Sequence, residues 1–194
     1  MRVLVVYAHP VETSFVAALH DTVVATLRGG GHTVDDCDLN AENFDPVLSR
    51  QDRLDYHCTT SNRLRVGPEV ARLKAAEGLV LVFPVWNFGF PAILKGYLDR
   101  VWLPGVAFDI NARGNLDLTL RHVRRLGAVC TYGGERWRAA LMGDPPRRLV
   151  RRMIRAHVAP GAPCDYLACY GMNHTTPRTR AAFMAAVEQR FATW

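Results

Sequence analysis

Three short stretches of this chain combine residue types suited to holding a ligand. The first is His9-Pro10-Val11-Glu12-Thr13-Ser14-Phe15, with two hydroxyls at the start of an amphipathic helix. A helix start carries backbone N–H groups without intrahelical partners and the positive end of the helix dipole, so it suits a phosphate or carboxylate. Thr13 and Ser14 also serve as ordinary helix caps, and taken alone capping is the simpler account. The spacing is not Gly-x-Gly-x-x-Gly, which disfavours a Rossmann dinucleotide site. The second stretch, Phe83-Pro84-Val85-Trp86-Asn87-Phe88-Gly89-Phe90-Pro91, crowds four aromatics into a turn expected to face solvent. A flat ring ligand, sandwiched between aromatic and backbone surfaces, accounts for them. The third is Thr131-Tyr132-Gly133-Gly134. Adjacent glycines let a backbone approach a ligand closely and leave N–H groups free to donate to it.

Apolar periodicity predicts the elements that must carry these turns. The N-terminal run through Val3-Leu4-Val5-Val6-Tyr7-Ala8 reads as a strand buried on both faces. Phe15, Leu19, Val23 and Leu27 then recur every four residues, a helical stripe stopped by Gly29-Gly30-Gly31. Thr33 to Leu39 is a more polar strand, nearer an edge. Residues 40–67 form a long irregular connector, of a length often functional. A short helix follows from Pro68, then the apolar strand Leu79 to Phe83, then a helix from Ala92 to Trp102 ended by Pro104-Gly105. Leu126 to Thr131 is a strand, and Asp144-Pro145 gives an N-cap and N1 proline to a helix carrying Leu149, Val150, Met153 and Ile154. Cys164 to Tyr170 is the last strand, and Thr176-Pro177 starts the last helix. Five strands alternating with five helices predict an α/β fold with one parallel sheet. In such sheets ligands bind beyond the carboxyl ends of the strands, where strand order reverses, and the three unusual turns follow the first, third and fourth strands.

Composition agrees. The 194 residues, 49% hydrophobic and 22% charged, suit a single domain over 1–194 and exclude disorder. No apolar run approaches the roughly 20 residues of a membrane-spanning helix. The N-terminal apolar stretch is about five residues, too short for a signal-peptide core, so the cytoplasm is the expected compartment. The five cysteines include no Cys-x-x-Cys and the seven histidines no His-x-x-x-His, so no metal site is expected. The net charge of +6 comes with arginines clustered at Arg121, Arg124 and Arg125, at Arg136 and Arg138, and at Arg147, Arg148, Arg151, Arg152 and Arg155. No nucleic-acid motif accompanies them, and a solvated arginine-rich face is the favoured reading.

The same stretches resemble a known family. His9-Pro10-x-x-x-Ser14-Phe15, Asp38-Leu39-Asn40-Ala41 with Phe44-Asp45-Pro46, Phe83-Pro84 through Phe88-Gly89-x-Pro91-Ala92-Ile93-Leu94-Lys95-Gly96-Tyr97-x-Asp99-Arg100-Val101, and Thr131-x-Gly133-Gly134 resemble the NAD(P)H:quinone oxidoreductases. That resemblance implies a three-layer flavodoxin-like fold, a five-stranded parallel sheet with helices on both faces. It also implies a flavin, leaning to FAD over FMN, with NADH or NADPH as co-substrate. By position His9, Thr13, Ser14, Phe15 and Val16 would hold its phosphate and ribityl chain. Pro84, Val85, Trp86, Asn87 and Phe88 would border the ring, and Thr131, Tyr132, Gly133 and Gly134 its polar edge. Phe88, Phe108 and Trp137 are expected at the substrate. The family's Asn after Ser-Phe is Val16 here, its ring-side Trp position is Asn87, and its Tyr and His beyond the glycine pair are missing. Gly134 with Arg136 or Arg138 is expected to stabilise the reduced ring instead. The implied activity is two-electron transfer to a quinone, nitro, azo or similar electron-poor small molecule by ping-pong hydride transfer. A homodimer is expected, since Phe88, Phe90, Tyr97, Trp102 and Phe108 exceed what one sheet edge buries. An electron-carrier flavodoxin would carry a Thr-x-Thr-Gly loop and an acidic surface, and a regulatory subunit of a membrane transporter is the remaining alternative.

Overall fold

Alternation along the strands decides which face each side chain meets. A computed structural model describes residues 1–194. In β1 (Arg2–Tyr7), Val3, Val5 and Tyr7 enter one core, and Leu4 and Val6 enter another on the opposite face. The same division runs through β3 (Gly78–Val85), with Val80 and Val82 on the first face and Leu79, Leu81 and Phe83 on the second. β2 (Thr33–Asp38), β6 (Arg125–Tyr132) and β7 (Cys164–Cys169) complete a five-stranded sheet in the order β2-β1-β3-β6-β7, every pair parallel. This is the predicted α/β architecture. Each fully buried aliphatic side chain in these strands contributes about 1.5–3 kcal/mol.

Helices cover both faces. α1 (Phe15–Gly29) and α8 (Pro177–Phe191) cover one, through Leu19, Val23, Val187 and Phe191. α3 (Gly67–Ala75) and α4 (Ala92–Val101) cover the other with Leu73, Leu94 and Val101. They are joined there by a helix of mixed pitch: α6 (Pro145–Arg148), a π-helical segment (Leu149–Ile154) and α7 (Arg155–His157). The polar β2 lies at an edge as expected, its acids engaged by neighbours. Asp35 pairs with Arg72 at 2.8 Å, and Asp36 lies 2.8 Å from the His20 ring. Charges on an edge strand discourage pairing with other chains. No helix is long and apolar enough to cross a membrane.

The connector after β2 is more ordered than its irregular sequence predicts. Asp38 Oδ1 accepts from the amides of Asn40 and Ala41, each at 3.0 Å, which turns the chain at once. Ser49 and Asp52 then form a reciprocal capping box that starts a helix missed in the sequence, α2 (Arg50–Asp55). The Phe44-Asp45-Pro46 motif is clamped by α4. A Cβ on Gly96 would overlap the Pro46 backbone, Arg100 donates to the Asp45 carbonyl, and the Tyr97 ring meets Phe44 at 5.6 Å.

Two further expectations are corrected. Asp144 precedes its helix but does not cap it: its backbone is left-handed (φ 45°) and its carboxylate accepts from Tyr132 at 2.5 Å and Tyr170 at 3.0 Å. Nor does the expected aromatic excess reach the surface. Tyr97 and Trp102 are only 1% and 6% exposed, and Phe88, Phe90 and Phe108 are half-buried against the core. Beyond the main sheet, β4 (Phe108–Ile110) and β5 (Leu116–Leu118) form a small antiparallel hairpin that the sequence pattern did not reveal.

Candidate functional site

Strand order reverses at β1 and β3, which opens a crevice beyond their carboxyl ends. The β1–α1 turn enters it first. Ser14 caps α1, its hydroxyl accepting from the Ala17 amide at 3.1 Å, so the capping role is realised. The amides of Phe15 and Val16 find no acceptor within the chain and remain available to an anion. The Val16 side chain is buried against the sheet, so only its backbone faces the turn. Phe15 leans on Phe183, ring centroids 6.5 Å apart, and Thr13 is exposed.

The β3–α4 turn is a two-residue hairpin. Trp86 and Gly89 exchange backbone hydrogen bonds of 3.3 and 2.8 Å, with Asn87 and Phe88 between them at φ 50° and 57°. This is the left-handed pair of a type I′ turn, usually filled by Asn-Gly. A bulky residue held there costs about 1–2 kcal/mol, strain of the kind that collects at functional sites. Of the four aromatics, Phe83 is fully buried with Phe90 edge-on at 4.9 Å, and only Trp86 is largely exposed, at 47%. Its ring stands 5.8 Å from that of His9, which brings the first two turns together. Pro84 and Val85 are buried at the end of β3.

In the turn from β6 into α5 (Arg136–Leu141), the amides of Gly133 and Gly134 have no acceptor in the chain. A Cβ on Gly134 would meet nothing within 4 Å, and one on Gly133 only the Asn173 amide at 3.8 Å. Thr131 and Tyr132 are buried. The Tyr132 hydroxyl points away into a network with Asp144 and Tyr166, and burial, then Cys130 and Asp144, pushes its phenol far up, so it stays neutral.

A fourth turn, not foreseen from the sequence, closes the crevice. Gly171 (φ 68°) donates to the Gly134 carbonyl at 2.9 Å and leads into a single 3-10 turn, Met172–His174. The left-handed backbone at Gly171 is what favours glycine there, and a Cβ would in addition displace the Glu135 carboxylate. The signal was Tyr170-Gly171 itself, a breaker directly after the last strand. Asn173 and His174 thereby join Trp86, Asn87, Phe88, Gly133, Gly134, Glu135 and Arg138 around one cavity of about 620 Å³.

The fold separates the remaining candidates. Arg138 lines this cavity and lies over the exposed Trp137 ring at 5.2 Å, whereas Arg136 lines a different cavity with Arg147 and Arg148. Phe108 sits on the β4–β5 hairpin and borders a third, more apolar cavity of about 430 Å³ with Tyr56, Leu98, Trp102 and Met153. The crevice thus offers an exposed indole face, unpaired amides from two turns, the Arg138 guanidinium and the imidazoles of His9 and His174. Open space over two glycines beside free donors fits a flat ring with a polar edge.

Known proteins share this architecture. The uncharacterized NAD(P)H oxidoreductase YcaK of Escherichia coli is 37% identical over 111 residues, 55% of this chain and 55% of that protein. NAD(P)H dehydrogenase [quinone] 1 of Rattus norvegicus is 35% identical over 123 residues, 55% of this chain and 45% of that protein. The matched stretches thus span about half the length of these relatives. Among solved structures, an NAD(P)H:quinone oxidoreductase from Methanothermobacter marburgensis superposes with a TM-score of 0.83 at 23% identity, over 99% of this chain and 98% of that one. The family model described as Flavodoxin-like fold matches residues 1–191, and the chain belongs to that family.

Proposed function

We propose that the chain is a flavin-dependent NAD(P)H oxidoreductase that passes two electrons to a quinone or similar electron-poor small molecule. The carrying observation is one cavity lined by the exposed Trp86 ring together with the unpaired amides and open Cβ space of Gly133 and Gly134. The names of the relatives from Escherichia coli and Rattus norvegicus point the same way. The free amides of Phe15 and Val16, with Thr13 and Ser14, would hold the phosphate and ribityl chain near His9. Pro84 to Phe88 would border the ring and Thr131 to Gly134 its polar edge. A bound flavin supplies the acceptance and release of hydride, and the protein supplies position and field.

Gly133 and Gly134 donate where negative charge develops, and Arg138 adds positive potential from the same wall. Arg136 faces another cavity, so the electrostatic role narrows to Arg138. Phe88 borders the space open to nicotinamide and acceptor in turn. The preference for FAD over FMN rests on the connector motif alone. The same reading makes the chain one domain, cytoplasmic and homodimeric, with the Phe108 hairpin at the subunit contact. A visible spectrum of the purified protein, chromatography of the released flavin, and NAD(P)H-dependent quinone reduction test it. A colourless chain that takes up neither flavin at micromolar concentration refutes it, and sedimentation as a 21.7 kDa monomer refutes the dimer.

A further inference from the structure

The densest unpaired charge on the molecule lies on the far side of α5 from the crevice. Arg136 of α5, Arg147 and Arg148 of α6, and Arg151 and Arg152 of the π-helical segment line one concave cavity of about 540 Å³. Several cations elsewhere are paired, Arg72 with Asp35 and Glu42, Arg65 with Asp52, and Arg124 with Glu77, and the unpaired ones do not gather around one cavity. None of these five arginines has a carboxylate within ion-pair distance or donates a side-chain hydrogen bond within the chain. Residues 145–164 contain no Asp or Glu to neutralise them. Asp144 is the one carboxylate in the wall, and each of its oxygens already accepts a hydrogen bond from a phenol, Tyr132 and Tyr170.

The local geometry keeps these charges together against their repulsion. Arg147 with Arg151 and Arg148 with Arg152 are four residues apart, the spacing at which like charges on a helix destabilise one another. π-helical turns are rare and concentrate at functional sites. This one buries Val150 and Ile154 completely while Arg151 and Arg152 stay exposed. Gly143 (φ 79°) contributes through its missing side chain: a Cβ there would lie 3.2 Å from the Arg148 guanidinium, which therefore rests over bare backbone.

We propose that this cavity binds a phosphorylated small molecule carrying two adjacent phosphate groups. Guanidinium groups match phosphate oxygens through paired, charge-assisted hydrogen bonds, and a concavity of this volume suits a small ligand. A pyridine dinucleotide and a separate nucleotide present the same chemistry. The proposal requires neither a flavin nor hydride transfer.

Calorimetric titration of the full chain at low ionic strength, with inorganic pyrophosphate, ADP, NADPH and NADH, tests it. One-to-one saturable pyrophosphate binding is expected, weakened about tenfold or more in the Arg147→Gln/Arg151→Gln double variant and unchanged in Arg113→Gln on the distant hairpin. Gly143→Ala, which keeps the charge but displaces Arg148, should also weaken it. NADH and NADPH binding that matches or exceeds ADP and falls in the double variant assigns the site to the co-substrate's diphosphate, whereas NADPH binding far above NADH would mean a lone ribose phosphate and overturn the two-phosphate reading. Equal binding of ADP and pyrophosphate to the flavin-free chain assigns it to a separate ligand. Absent heat at millimolar pyrophosphate, or affinity undiminished in the double variant, overturns the proposal. So does a duplex oligonucleotide that binds more tightly than pyrophosphate and is lost in the same variant. A chain that takes up neither flavin yet still binds pyrophosphate would refute the oxidoreductase reading and leave this one intact.

Discussion

The amino and carboxyl ends of the sheet are built from the same residue types, glycine and tryptophan, and put them to different use. At the amino end Gly78 and Gly127 lie beneath Trp194, whose ring would stand 3.2 and 2.8 Å from a Cβ at those positions. That ring is held by three neighbours: its indole N–H donates to Asp165 at 3.1 Å, Phe191 packs at 5.0 Å, and the Arg125 guanidinium lies over it at 5.1 Å. At the carboxyl end Gly133 and Gly134 face open space, and Trp86 and Trp137 are 47% and 62% exposed. A glycine covered by a ring is a packing device. A glycine and a ring that both stay open, beside amides with no acceptor, form a surface waiting for a partner.

Substitutions should separate the two ends. The largest effect is expected from Gly127→Val, which forces two branches into the Trp194 and Phe191 rings and should cost about 3 kcal/mol in urea unfolding, with flavin content per folded molecule unchanged. Next, Trp194→Ala should cost about 2 kcal/mol by uncovering the same glycines. A neutral result for both would mean that the amino end is not closed by packing.

The phenol cluster behind the third turn belongs to the closed part, and pH probes it. Burial foremost raises Tyr132, Tyr166 and Tyr170, the last to about 12, with Asp144 adding to the rise at Tyr132 and Tyr170. Below about pH 10 these phenols are neutral in both folded and unfolded chains, so their contribution is fully present. Above that, the unfolded chain releases protons first and stability falls as pH rises toward 12. Urea midpoints measured through this window should decline less steeply in Tyr170→Phe, and an identical decline would remove Tyr170 from the account.

Gly134→Val sharpens the comparison from the open side. Its unfolding free energy should stay within about 0.5 kcal/mol of the parent, while the flavin recovered from the purified protein falls sharply. Retained flavin would place the ring elsewhere. The smallest effect carries no stability. Hydrogen bonds from Ser61, then Thr60, lower the exposed Cys58 thiol to about 7, whereas burial holds Cys37 at about 12 and raises Cys130 as well. Iodoacetamide at neutral pH, followed by peptide mass mapping, should label Cys58 first.

Much of this is legible in the sequence. Hydrophobic period two or near four is a property of neighbouring residues, so the five strands, the Ser14 cap and the stop after α1 follow from local patterns. The glycine pair at 133–134 was legible because a missing side chain is visible in the sequence wherever it falls. Direction was not legible. Arg136 and Arg138 are two residues apart, and helical phase sends them to different cavities. Tyr97 and Trp102 looked like surface aromatics because the connector and hairpin that cover them are distant in sequence or patternless. Asp144 occupied a cap position, yet two phenols from β6 and the end of β7 claimed its carboxylate.

The sequence by itself determined the five strands of the main sheet, the long helices between them, their order and three of the four turns at the crevice, because each depends on residues within a few positions of one another. Only the tertiary structure decided that Gly171 docks on Gly134, that Gly96 admits Pro46 and that five arginines share one cavity. Those contacts join segments 20 to 60 positions apart or depend on helical phase, and their geometry is set by strand order and by how the helices lie on the sheet.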